Sequence, residues 1–381
     1  MDRIQRYLHE TAYKYMMKSR KTYIITLIML VLCAAVKVFS GNELKVENEY
    51  STGFYPFFAQ ILRQIFGFIP FSLGDILYGF VFLLLIFTLL SFFYDLLTRQ
   101  LPRYNSVMMV RKANKLIQIV LSIYLVFNIF WGLNYNKLPV GQSFKISVKD
   151  TSLIELKELS VWLLNKVNEE KKLSLAERFE IHDFNFLQRE AAITFKIFTE
   201  KFVMEDLTHH SLKPTMYSWV ANSSGYTGYY NPFTGEAQVN DANPFYEQPF
   251  VACHEMAHQL GYAKENEANF IGFLACIESR SHLFRYSAYK AMLGYVVADL
   301  TVADRRYSLT IYDSLSAAVK QDMRYSSRVR SRHSKVLQPV VMGIYEKYLL
   351  SNEQPLGLLS YNEVTGLLIG YYKRSRYRAF Y

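Results

Sequence analysis

Three long apolar runs dominate the first third of the chain, and the hydrophobic texture changes character after them. Residues 22–39, 73–93 and 116–133 are rich in Leu, Ile, Val and Phe. At about 1.5 Å of rise per residue each suffices to cross a hydrocarbon layer of about 30 Å. The third carries Gln118 and Asn128, so a buried helix of a soluble domain is the alternative reading for it. Between the first two runs, residues 55–70 are apolar and aromatic but interrupted by Gln60, Arg63 and Gln64. Those polar residues fall close together on a helix, which predicts an interfacial helix on the membrane surface, with a re-entrant or packed segment as the equal alternative.

Beyond residue 135 the pattern becomes that of a folded domain. Ser152 and Glu155 form a capping-box signature that opens an amphipathic helix to about Val167, and Phe184–Phe202 reads as another. From 213 to 240 the chain turns to Tyr, Thr, Ser and Gly, with a turn at 232–235 between extended pieces. An edge strand here could pair with an extended peptide, although an ordinary surface hairpin fits the same residues. A helix starting near Pro249 carries Phe250, Val251, Ala252, Met256 and Ala257 on apolar positions and ends at Gly261; a second runs from about Ala263 to Ile277. Helices continue to a last one over 362–372 and a basic tail. The expected architecture is an α-helical membrane anchor, residues 1–135, followed by a single α+β, mostly helical domain, residues 136–381.

Composition and charge place these parts. The hydrophobic fraction is 51%, with a mean hydropathy of +0.02, and the excess lies in the first 135 residues. Arg3, Arg6, Lys14, Lys18, Arg20 and Lys21 precede the first run, and Arg99, Arg103, Arg111, Lys112 and Lys115 lie between the second and third. The loop 41–72 has only Lys45 and Arg63, against Glu43, Glu47 and Glu49. The positive-inside rule then puts the N-terminus and the 96–115 stretch in the cytoplasm and the domain outside it. Residues 40–42 lack a small-x-small cleavage pattern, so the first run is expected to stay as an anchor. Lipid is thus an expected partner. The net charge of +10 follows from membrane flanks and solvated faces, and no nucleic-acid motif accompanies it. Arg328, Arg330, Arg332 and His333 form a local basic patch, read as a solvated face, with contact to anionic polymer as the alternative.

The chemistry is concentrated at 254–258, His-Glu-Met-Ala-His. His254 and His258 stand four residues apart and share a helical face, so both imidazoles can reach one ion. Glu255 lies about 100° around the helix, where a carboxylate can take a proton from water without occupying a coordination position. A catalytic zinc site usually adds a third protein ligand. Glu265, in the first turn of the next helix, is favoured; Glu267 is the alternative, but it points about 160° away from Glu265 on that helix. Asn269, one turn beyond Glu265, is expected to orient a ligand histidine. One Zn²⁺ per chain is the expected cofactor. Candidate donors for an oxyanion are His333, Tyr345 and Tyr361. Cys253 and Cys276 fall on the two helices that would meet at the metal, and two separate buried thiols are favoured over a disulfide.

These residues also carry a family resemblance. The pair of motifs His254-Glu-x-x-His258 and Glu265-x-x-Ala268-Asn269 resembles the gluzincin pattern of membrane peptidases of the HtpX and CAAX-protease type. More narrowly, residues 230–240 (YNPFTGEAQVN), 254–261 (HEMAHQLG) and 265–270 (ENEANF) resemble the DUF3810 family of bacterial membrane proteins, described as zinc-dependent peptidases. The resemblance implies a zincin-like fold, a peptide or protein substrate and a place in the bacterial cytoplasmic membrane. Glu265 follows His258 by only seven positions, far closer than in most gluzincins. Lys264 stands where metzincins have a third histidine. A scaffold that keeps the fold without turnover, and a metal-dependent hydrolase of a non-peptide bond, are the competing expectations.

Overall fold

The computed structural model of the chain describes residues 2–98, 106–146, 152–177, 183–202, 204, 210–332, 338–352 and 363–378. In chain order, α1 (Asp2–Ser40), α2 (Glu43–Lys45), a π-helical stretch Val46–Phe54 and α3 (Tyr55–Phe66) precede α4 (Leu73–Leu97) and α5 (Ser106–Phe130). A 3₁₀ turn, Gly132–Asn136, and α6 (Val140–Ser143) lead to α7 (Leu153–Ala176) and α8 (Phe184–Phe202). Then come β1 (Leu212–Pro214), α9 (Ser218–Ser224), β2 (Gly228–Asn231), β3 (Glu236–Val239), α10 (Gln248–Gln259) and α11 (Glu265–Ile277). The chain continues through α12 (His282–Ala303), α13 (Arg305–Asp313), α14 (Ala317–Ser331), α15 (Gln338–Ser351) and α16 (Val364–Arg378).

Three segments are long and apolar enough to cross a membrane: Arg20–Ser40, Leu73–Leu97 and Met109–Phe130. Their apolar side chains are mostly left uncovered by the rest of the protein, as lipid-facing helices require, so the chain reads as a multi-pass membrane protein. The third segment lies several residues earlier than the hydropathy pattern predicts, for two reasons. Gln118 Nε2 donates to Thr22 O and Thr26 Oγ1, both at 3.0 Å, and Thr26 Oγ1 donates to Asn114 Oδ1 at 3.0 Å. These polar groups pair between α1 and α5 and so need no water. At the other end the helix stops at Phe130, and the 3₁₀ turn carries Leu133 into a buried cluster.

The main core lies among α7, α8, α10, α11 and α12, with Leu159, Leu163, Phe195, Phe198, Phe273 and Phe284 fully buried. The predicted capping box at Ser152 and Glu155 is present, and α7 runs past Val167 to Ala176 because Val167 itself is core. A second cluster joins the membrane end to this core. Val46, Tyr50, Tyr55 and Ala59 pack with Trp131, Leu133, Tyr135 and Ala263, and Val36, Phe39 and Phe127 of the spans lie against them. Helix α3 therefore buries Tyr55, Ala59, Leu62 and Arg63, while Phe57 and Ile65 remain exposed. Arg63, expected on a polar outer face, turns inward to Gln259 O at 3.3 Å.

The sheet has the order β1-β3-β2, with β3 parallel to β1 and antiparallel to β2. Lys213 of β1 and Glu236 of β3 form an ion pair at 2.5 Å with side chains 2% and 0% exposed. Glu236 also accepts from Leu73 N at 3.1 Å and Gly74 N at 2.6 Å, capping the start of α4, where a carboxylate suits the helix dipole. Lys213 Nζ donates to Phe66 O at 2.8 Å and Phe71 O at 3.0 Å. The sheet is thus tied to the first turn of the second span. Lys213→Met would leave the Glu236 carboxylate buried without its cation, which typically costs about 3–5 kcal/mol. The detergent-solubilised variant should melt several degrees lower; an unchanged midpoint would show that the pair is not needed for stability.

Candidate metal centre

Helix α10 begins with Pro249 in its first turn and buries Phe250, Val251, Ala252, Met256 and Ala257, which fixes the rotation of the helix and hence the face that carries His254 and His258. Gly261 ends it at φ +83°, a left-handed conformation that favours glycine. The reversal is locked by Gly261 N to His258 O at 2.9 Å and Tyr262 N to Ala257 O at 3.2 Å. The carbonyls of the last turn are taken by side chains from the membrane end. Tyr55 Oη donates to His258 O at 3.3 Å and Gln259 O at 3.2 Å, and Trp131 Nε1 donates to His258 O at 3.4 Å.

After the reversal α11 runs back along α10. The approach is close: a Cβ at Gly272 would come within 2.9 Å of His254 N and 3.0 Å of His254 Cα, so only glycine lets the helices meet there. The contact brings Glu265, in the first turn of α11, to the imidazoles. His254 Nε2 lies 3.2 Å and His258 Nε2 3.7 Å from Glu265 Oε2. Donors at about 2.0–2.1 Å from a tetrahedral zinc stand roughly 3.3 Å apart, so these separations fit one ion with small adjustment. Glu255 is adjacent: His254, Glu255 and His258 offer ligand atoms that all lie within 4.8 Å of one another, a group that could hold a metal ion. Two carboxylates therefore border the histidines. Glu265 makes the closer approach.

Electrostatics separates the two carboxylates. Burial pushes the Glu255 carboxyl up to about 7, against the lowering effect of the two imidazoles. Burial also acts to raise Glu265, but its hydrogen bonds and charge interactions with His254 and His258 outweigh that and hold it well below the usual carboxylate range. Burial acts to lower His258, yet the Glu265 carboxylate prevails and raises it. An ionised oxygen facing two imidazole nitrogens is a donor set that suits zinc.

Other predicted residues fall differently. Glu267 turns away from the histidines: Oε1 accepts from Val140 N at 3.0 Å, and its charged neighbours are Lys264, Lys137 and Glu47. Asn269 is buried one turn beyond Glu265, but no hydrogen bond joins it to either imidazole among the described residues; its side chain meets the Tyr295 hydroxyl. The group that orients His258 is the carbonyl of Tyr262, 2.6 Å from Nδ1, which turns Nε2 toward Glu265. Nδ1 of His254 is buried without a partner. Tyr345 of α15 reaches the site and donates its hydroxyl to Glu265 Oε1. His333 and Tyr361 lie outside the described residues. Cys253 and Cys276 are buried free thiols.

Aromatic side chains floor the centre, and motif reading did not single them out for it. The Trp131 ring lies 5.8 Å from the His258 ring and the Tyr230 ring 6.2 Å from it, nearly parallel. Strand β2, which carries Tyr230, is the sheet edge beside Glu255: a Cβ at Gly228 would come within 2.7 Å of Glu255 Oε1. The strand nearest α10 in sequence, β3, is instead the central one. Trp131 is an ordinary aromatic in sequence, and Tyr230, although it heads the run 230–240, carries no sign there of a place beside His258; proximity in space gives both that place.

Residues 50–369 match the family described as "Protein of unknown function (DUF3810)". No curated protein and no solved structure matches the chain.

Proposed function

This chain belongs to the DUF3810 family, and from that premise and the centre just described we propose that it is a membrane-anchored zinc-dependent peptidase with a zincin-like domain. The observation that carries the reading is the convergence of His254 Nε2 and His258 Nε2 on Glu265 Oε2 at 3.2 and 3.7 Å, with Glu255 alongside. His254, His258 and Glu265 would hold the ion. When bound, zinc supplies a water acidic enough to ionise near neutral pH and polarises a carbonyl oxygen. Glu255 takes the proton of the attacking water and passes it to the leaving amine. An extended peptide adding to the edge of β2 would lie beside that carboxylate, held by main-chain hydrogen bonds.

Tyr345 has a positioning role in this reading. Its hydroxyl holds the Glu265 oxygen that does not face the histidines, which fixes the carboxylate's orientation. Tyr345→Phe should weaken zinc binding by roughly 10-fold, within the usual range for loss of such a supporting contact. Competition against a chelating dye measures it; an unchanged affinity would remove the role.

In this reading the domain lies outside the cytoplasm, which the basic residues flanking the spans support. A cysteine at position 150 should react with an impermeant reagent on intact cells, and one at position 105 only after the cells are opened. Protection of position 150 would move the centre into the cytosol. For the activity itself, purified protein should cut peptides from a mixed pool, stop on addition of a zinc chelator and recover with zinc. A zinc-loaded protein that leaves every peptide intact would favour a non-peptide bond or a scaffold.

A further inference from the structure

We propose that the substrate is a polypeptide anchored in the same bilayer and cut in the segment where it leaves the membrane. This rests on the peptidase reading and adds the height at which the scissile bond must lie. Contacts from each of the three spans set that height. The third span, Met109–Phe130, has 22 residues and so measures about 33 Å against a hydrocarbon thickness of about 30 Å. Trp131 follows it directly, at the boundary where tryptophan is commonly found, and its ring is 5.8 Å from that of His258. From the first span, Val36 and Phe39 pack into the cluster that contains Tyr55 and Ala263, beside the end of α10. From the second, Asp75 accepts from Met216 N at 2.6 Å, and Tyr217 Oη donates to Asp75 O at 3.2 Å. The outer ends of all three spans therefore meet the cluster beside the centre or the sheet, where Tyr229 of β2 also donates to Asp75, which puts the metal group close to the outer boundary of the hydrocarbon.

The surface around this level agrees. Phe68 is 79% exposed, Trp219 70%, Ile344 65% and Met216 54%. Phe68 lies between α3 and the second span, Met216 and Trp219 adjoin the Tyr217 that rests on that span's first turn, and Ile344 is on α15, whose Tyr348 contacts Phe127 of the third span. Such a fringe is costly in water but is covered when it dips into the interfacial layer of a bilayer that the spans already fix in place. A centre held at this level is hard for a loop of a soluble protein to reach past the headgroups. A chain emerging from the bilayer arrives at the right height, and extended backbone at about 3.3 Å per residue reaches the centre within its first few residues outside the hydrocarbon. Anchoring also raises the local concentration of the substrate.

The test separates geometry from concentration. Reconstituted protein is offered one cleavable sequence in three forms: free, placed roughly five residues from a transmembrane helix, and placed roughly 20 residues from the same helix. The two anchored forms share a surface concentration, so their difference reports height alone. The near form should be cut at least 10-fold faster than the far one, with cut sites mapping close to the membrane. Equal rates for near and far forms would overturn the inference while leaving the peptidase reading intact; no cleavage of any form by zinc-loaded protein would remove both. A readout free of catalysis is a fluorophore on Trp219→Cys, expected to be quenched by spin-labelled lipid. Quenching by aqueous iodide alone would place the fringe in water and overturn the inference whatever the cleavage rates.

Discussion

Glu265→Ala is expected to lower zinc affinity by several orders of magnitude, whereas Glu267→Ala should leave the metal in place. Both carboxylates are buried and only two residues apart, yet their surroundings differ. Glu265 Oε2 faces both histidine Nε2 atoms, and its other oxygen is held by Tyr345. Removing it takes away the carboxylate that makes the closest approach to both imidazoles and leaves Glu255, the group assigned to the water, as the one carboxylate beside them. Glu267 instead bonds Val140 N and neighbours Lys137 and Lys264. Its loss should show as roughly 1–3 kcal/mol of stability, the usual cost of orphaning a buried donor. Titration of each variant against a competing chelator, alongside thermal melts, checks the pair. Zinc loss on Glu267→Ala with retention on Glu265→Ala would mean that the second helix presents the other carboxylate.

The second large effect is expected at Glu255. Glu255→Gln preserves shape and removes the ability to accept a proton, so hydrolysis should fall by a factor on the order of 10² to 10⁴ with zinc still bound. The distinction matters because Glu255 lies within 4.8 Å of the ligand atoms of both histidines and could in principle bind the ion itself. Single-turnover cleavage and metal content, measured on the same preparation, separate the two roles. A variant that lost its zinc would make Glu255 a ligand and leave the base to be found elsewhere.

Much of this site is legible in the residues themselves, because its key spacings are local. The i, i+4 histidines share a face by helical geometry alone, and the reversal at Gly261 and the buried face of α11 put Glu265 where its first-turn position predicts. The contact that orients a ligand histidine is less legible. A helical-face argument brings Asn269 toward a ligand histidine, but what His258 Nδ1 meets is the Tyr262 carbonyl in the reversal after α10, at 2.6 Å. The limits of the third span were blurred for a similar reason: Asn114 and Gln118 look too polar for lipid until Thr22 and Thr26 of another helix are brought beside them. What carried no local signal at all is the union of membrane and site. Trp131 under His258, Tyr55 on the end of α10 and Lys213 with Glu236 at the start of α4 are contacts between residues far apart in sequence, and no periodicity or motif announces them.

Everything proposed for this site depends most directly on the metal. Protein purified in detergent without chelator, analysed by elemental mass spectrometry, should contain about one zinc per chain, and His254→Ala or His258→Ala purified in parallel should contain almost none. A wild-type protein without transition metal that also fails to take up added zinc would contradict it.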